Sequence, residues 1–165
     1  MMQGYATSFG LGFVAGMRSM TACAALAWAA SEGRTRGGSI PGGPGARAIA
    51  TTMAFGEMAG DKMRFAPDRR IPPSFAFRLA IGAVGGWALA DRRSSPRTGA
   101  LAGMAGAVAC TLIGRAARGP DSRTSSGRAK GLMEDAAAVG LAVLVVSTAQ
   151  RQQGPSGADP EARER

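Results

Sequence analysis

A single charged residue, Arg18, interrupts the otherwise uncharged run from Met1 to Ser31. A helix needs about 20 apolar residues to cross a bilayer, so the run is long enough for one span. An arginine at the centre of a span costs roughly 2.5–3.5 kcal/mol on insertion scales, while each Leu, Phe or Val returns only about 0.3–0.6. Phe9, Leu11, Phe13, Val14 and Leu26 are the strong apolar residues of the run; most of the rest is Ala, Gly, Ser and Met. The terms nearly cancel. Such a helix needs neighbouring helices and a partner for its arginine, so the run predicts a small membrane bundle with a buried ionic site.

The chain of 165 residues is long enough for one bundle and too short for two independent cores. A mean hydropathy of only +0.01 follows from spans built of Ala and Gly and loops rich in Arg. The net charge of +9 is carried almost wholly by arginine, the only lysines being Lys62 and Lys130. Without aromatic platforms or a groove-reading motif this charge is a poor footprint for nucleic acid. Basic loops beside apolar spans suit anionic headgroups, so the expected partner is the lipid bilayer and the location the cell membrane. No histidine occurs, which removes His-dependent zinc sites and His acid–base catalysis. Cys23 and Cys110 lie in apolar stretches with no CxxC or Cys/His cluster and read as small hydrophobes. No cofactor or metal set emerges. The N-terminus lacks a basic signal-peptide region and reads as a retained first span.

Apolar stretches predict spans over Gly4–Ala30, Ser74–Ala90, Thr98–Ala117 and Leu132–Gln150. Ala46–Met63 is mixed, with an uncharged core only from Ala48 to Gly56, too short for a free-standing span. Four spans place the basic connections Ser31–Pro73 and Arg118–Gly131 together on the cytoplasmic side; five divide the positive charge evenly. The expected architecture is therefore an all-α integral membrane bundle. It has four firm spans and one short re-entrant or interfacial helix, with a fifth span as the alternative. Residues 1–150 form the membrane domain and 151–165 a charged, disordered tail. The loop Gly37–Gly45 has no Lys-Ser/Thr after its glycines and is broken by Pro41 and Pro44, so it reads as a flexible connector.

Four GxxxG pairs, Gly12/Gly16, Gly56/Gly60, Gly82/Gly86 and Gly99/Gly103, predict close helix contacts, chiefly within the chain, with a homo-oligomer as the other use of such faces. Glu57 and Asp61 lie i,i+4 on one helical face and are the best available partners for Arg18 and Arg78. Glu134 and Asp135 are placed at the first turn of the last helix, where the helix dipole favours carboxylates. The candidate ionic site is thus Arg18, Glu57, Asp61, Lys62, Arg78, Glu134 and Asp135. Charges inside a membrane are expensive and point to function. Ser19 and Thr21 flank Arg18 with no accompanying base, so no catalytic residue is assigned.

Three blocks carry a resemblance: FVAGMRSMTACAALAWAA at Phe13–Ala30, GEMAGDKMRFAPDRRIPPSFAFRLAIGAVGG at Gly56–Gly86, and the acid-started helix at Glu134. Together they resemble a family of small bacterial multi-pass membrane proteins catalogued only as a domain of unknown function. The resemblance implies a multi-pass membrane protein and supplies no substrate, cofactor or catalytic residue. Two functions fit the residues. One is a small transporter or channel for an ion or solute; the other is a structural or accessory protein whose ion pairs only fix helix packing. A lipid-handling enzyme would need a nucleophile or metal set that the sequence does not offer.

Overall fold

The computed structural model describes residues 2–60, 72–90, 94–117 and 125–152. Among them are six α-helices and no strand: α1 (Met2–Met17), α2 (Ser19–Ser31), α3 (Pro44–Gly60), α4 (Pro72–Ala88), α5 (Pro96–Ala117) and α6 (Ser125–Gln152). A short 3-10 turn, Arg36–Gly38, lies between α2 and α3. Helices α3, α4 and α5 all begin on a proline, whose missing N–H costs nothing at a first helical position. Helix α2 ends in a Schellman turn. Gly33, at φ +69°, donates its N–H to Ala30 O, and Arg34 donates to Ala29 O.

The expected first span is two helices. Arg18 separates them in an extended conformation (φ −142°, ψ 105°), although its N–H still donates to Val14 O and its carbonyl still accepts from Ala22. The bend at this residue is sharp. In an unbroken helix Leu11 and Leu26 would lie about 22 Å apart along the axis. Here both side chains approach Gly85 of α4, where a Cβ would stand 2.3 Å from Leu11 Cδ2 and 3.3 Å from Leu26 Cδ1. Helix α2 therefore folds back beside α1, making a hairpin with Arg18 at its apex.

Contacts along the other helices give the same layout. Gly10 meets Val145 of α6, and Arg34 reaches Val146 O, while the apex residue Arg18 meets Asp135, about 16 Å earlier on that helix. Helix α3 runs from Arg47 beside Trp28 to Glu57 beside Ser19. Helix α4 runs from Arg78 beside Gly16 to Gly86 beside Ser8. Successive helices thus alternate in direction. One end of the bundle carries the apex; the other carries Trp28, Arg34, Arg47 and the start of α5.

The interior is small-grained. Its cluster comprises Leu11, Val14, Ala15, Ala22, Ala25, Leu26 and Ala29 of the hairpin with Ile81, Ala88, Leu89, Ala142 and Val145. Backbones approach closely at α1–α5 and α4–α5: a Cβ on Gly12 would fall 1.8 Å from Gly103 O, and one on Gly103 2.0 Å from Gly82 O. At Gly56 and Gly60 no described residue lies within 4 Å of the added Cβ. Many large apolar side chains are outside, including Leu101, Leu112 and Ile113 of α5 and Leu132, Met133, Val143 and Leu144 of α6.

Among the described residues two helical segments, Pro96–Gly114 and Gly131–Ala149, are long and apolar enough to cross a membrane, where four or five spans were expected. The shortfall has a local origin. The break at Arg18 divides the first stretch into arms of 16 and 13 residues. Helix α4 has only 17 residues. The last helix starts at Ser125, seven residues before Leu132, so Glu134 and Asp135 sit mid-helix rather than in its first turn. The dipole that would favour them there acts only within that turn. The loop expected to be a mere connector is tightly placed at Gly42, where a Cβ would lie 2.5 Å from Ser31 N. The expected disordered tail lies outside the described residues, apart from its first two positions, which belong to α6.

Candidate functional site

Breaking a helix exposes two sets of backbone groups. The last carbonyls of α1 and the first amides of α2 have no partner within their own helices. Arg18, as the residue before α2, makes no side-chain cap. The missing partners come from elsewhere. Ser19 N–H donates to Glu57 Oε1 at 3.2 Å and Met20 N–H to Glu57 Oε2 at 2.9 Å, so the α3 carboxylate straddles the first turn of α2. Arg78 of α4 donates through Nη1 to Gly16 O, with Met17 O at 3.5 Å, and so closes the end of α1. Each charge has the sign its helix end favours: negative at the α2 N-terminus, positive at the α1 C-terminus.

Arg18 itself turns to α6. Its Nη2 lies 2.5 Å from Asp135 Oδ1, with side-chain exposures of only 3% and 10%. Of the two carboxylates expected to pair with Arg18, Glu57 turns instead to the backbone of α2, and Asp61 lies outside the described residues. Glu57 is taken by backbone amides, because unsatisfied N–H groups at a buried helix end compete strongly for a carboxylate. Arg78, expected to meet a carboxylate, donates to the carbonyls of Gly16 and Met17. Among the described candidates, the structure brings Arg18, Glu57, Arg78 and Asp135 to one apex. Glu134 is half-buried on the neighbouring position of α6. Asp61 and Lys62 lie outside the described residues.

Reasoning from the sequence missed the backbone half of this site. Gly16, Met17, Ser19 and Met20 take part through carbonyls and amides, which no side-chain pattern advertises. Thr21 was noted only as a neighbour of Arg18. Its hydroxyl oxygen is buried, at 5% residue exposure, with no hydrogen-bond partner among the described residues. The apex thus holds two cations, two carboxylates and one hydroxyl whose hydrogen-bonding capacity is unspent.

No group of three or more metal-ligating side chains occurs among the described residues. Cys23 is half-buried and Cys110 buried, both as free thiols. Chemically the apex sets charged side chains against the exposed amides and carbonyls of two helix ends. Comparison of the chain with known protein families, with curated proteins and with solved structures finds no match.

Proposed function

We propose that this chain is a multi-pass membrane protein, of the kind its family resemblance implies, and that it passes a small ion or solute at the apex of its first hairpin. The observation that carries the reading is the broken helix, with both ends held by side chains from other helices. Half-helices whose termini meet charged groups deep in a bundle are a recurring way to bind ions and small polar solutes within a bilayer. Glu57 and Arg78 are exchangeable ligands for those termini, since a solute anion or cation could take either place. The unspent Thr21 hydroxyl adds a polar contact on the same turn of α2.

Membrane insertion is supported by how size is distributed. In a water-soluble bundle the large apolar side chains fill the core. Here half of the core cluster is Ala, and many large apolar residues, such as Leu101, Ile113, Val143 and Leu144, face outward. Only 28% of each of the two span-length windows is buried within the protein, whereas the core helix of a soluble protein is mostly buried. On this reading the α1–α2 hairpin enters and leaves by the same face, so the re-entrant element is the first helix pair rather than α3.

A second reading, a static clamp, is favoured by the Arg18–Asp135 contact and by the capping of both helix ends. In that case the charges fix the hairpin and move nothing. Reconstitution into vesicles separates the two. Transport predicts flux for at least one ion or solute of a panel, with Glu57→Gln changing its rate about tenfold or more at unchanged helicity, since losing one charge–dipole contact of about 1.4 kcal/mol or more is enough. Absence of any flux, with Glu57→Gln affecting stability alone, leaves the clamp. Alkaline-carbonate extraction tests insertion itself: the protein should stay in the membrane pellet.

A further inference from the structure

We propose that the groove between α2 and α6, at the end of the bundle opposite the apex, is a specific site for an anionic phospholipid. The inference rests on the membrane reading above. The groove has a volume of about 300 Å³ and is lined by Trp28, Glu32 and Arg34 with Ala142, Val143 and Val146 of α6, and Ser147. Its walls have two chemistries in sequence. The α6 side is apolar and open outward, Val143 being 64% exposed, as suits an acyl chain. The α2 end carries the charges.

Those charges are predominantly positive. Arg47 of α3 stacks on the Trp28 ring, its guanidinium carbon 4.8 Å from the ring centroid. Its Nε is buried with no hydrogen-bond partner among the described residues. Trp28 is itself held in place, donating from Nε1 to Thr51 Oγ1 at 3.4 Å. Arg34 donates to Val146 O at 3.0 Å and pairs with Glu32. Arg36 reaches Ser94 O and Arg97 stands exposed at the start of α5. Among the described residues at this end Glu32 is the one acid beside four arginines, which favours an anion. A planar guanidinium braced on an aromatic face is well suited to a phosphate, and Trp with Arg marks the depth of lipid headgroups. The apolar α6 wall of the groove, beside the Trp28 ring on which Arg47 stacks, selects a phosphate that bears acyl chains over a free one.

The test uses Trp28 as its own reporter. In a Trp87→Phe background, leaving Trp28 as the only tryptophan, the full chain is reconstituted with acyl-brominated phosphatidylglycerol or acyl-brominated phosphatidylcholine. Bromine quenches indole fluorescence on contact. Phosphatidylglycerol should be preferred by about fivefold or more, as expected when an arginine acts near an anionic lipid. Arg47→Gln and Arg34→Gln should each remove most of that preference, with Arg47→Lys retaining part of it. Arg97→Gln, outside the groove, should leave it intact. Equal quenching by both lipids overturns the site and spares the membrane reading. So does a loss with Arg97→Gln as large as with Arg47→Gln, which would mean only diffuse attraction. Suppression of the preference by millimolar inorganic phosphate overturns it in favour of a soluble anion. No quenching by either lipid, together with failure to float with vesicles, means that the membrane reading has failed as well.

Discussion

Two arginine–carboxylate pairs in this protein have the same 2.5 Å separation and opposite settings. Arg18–Asp135 sits at the hairpin apex with side-chain exposures of 3% and 10%; Arg34–Glu32 sits at the other end with 11% and 43%. Distance alone does not rank them. The apex pair is closed off from solvent on both sides, so removing either partner withdraws a compensating charge from a buried one. At the opposite end Glu32 keeps much of its hydration and Arg34 has a second anchor in Val146 O. The comparison teaches that the apex charges set the fold, while the charges at the other end meet whatever lies outside.

Breaking the apex pair gives the largest expected effect. Arg18→Met alone, or Asp135→Leu alone, should destabilise the bundle by up to about 3–5 kcal/mol, because a buried charge loses this oppositely charged neighbour. The double variant should recover most of that loss, since an apolar pair carries no desolvation cost. Denaturant titration followed by helical circular dichroism in detergent measures both. A double variant as unstable as the singles would mean that the pair itself is not what the hairpin requires.

How much of this was legible follows from the same residues. Arg18 announced itself by being the only charge in a long apolar run, whereas Pro44, read as breaking a connector, turns out to open α3. The fold-back at Arg18 did not announce itself. No proline stands there, the backbone φ is negative, and Gly16 and Ser19 are only mildly unfavourable in helices. The break is set by tertiary partners, Glu57 and Arg78, lying 38 and 62 positions from the backbone groups they cap. Helical spacing correctly brought attention to Glu57 and could not say that it would bind amides. Asp135 was visible as an acid, but its role depends on where α6 starts, and Ser125–Gly131 had been read as polar loop.

The next effect concerns how the hairpin is packed. Gly103→Ala should cost about 1–3 kcal/mol, as overpacking does, because the new methyl would stand 2.0 Å from the Gly82 carbonyl. Gly56→Ala, with open space around it, should be neutral or stabilise by about 0.5–1 kcal/mol through helix propensity. Equal effects at the two sites would contradict the close approach of α4 and α5.

Glu57 tests whether capping alone holds the hairpin open. Glu57→Ala removes an acceptor from two amides and should cost about 0.5–2 kcal/mol, as other N-cap losses do. Glu57→Gln keeps an acceptor and should cost less. Hydrogen exchange at Ser19 and Met20 should speed up in both variants, more in Glu57→Ala. Unchanged exchange at those two amides would remove Glu57 from the apex.

The smallest expected effect sharpens the opening contrast most. Glu32→Gln should cost only about 0.2–1 kcal/mol, the range of exposed ion pairs. Arg34 keeps its hydrogen bond to Val146 O, so its placement does not depend on Glu32. Salt provides the decisive comparison: at 1 M the screening length falls to about 3 Å, while a pair closed off from solvent is screened far less. The stability difference caused by Glu32→Gln should therefore shrink towards zero in high salt, and that caused by Asp135→Leu should persist. Equal salt sensitivity of the two would mean that water reaches the hairpin apex as freely as it reaches the opposite end, and the same separation would then carry the same weight in both places.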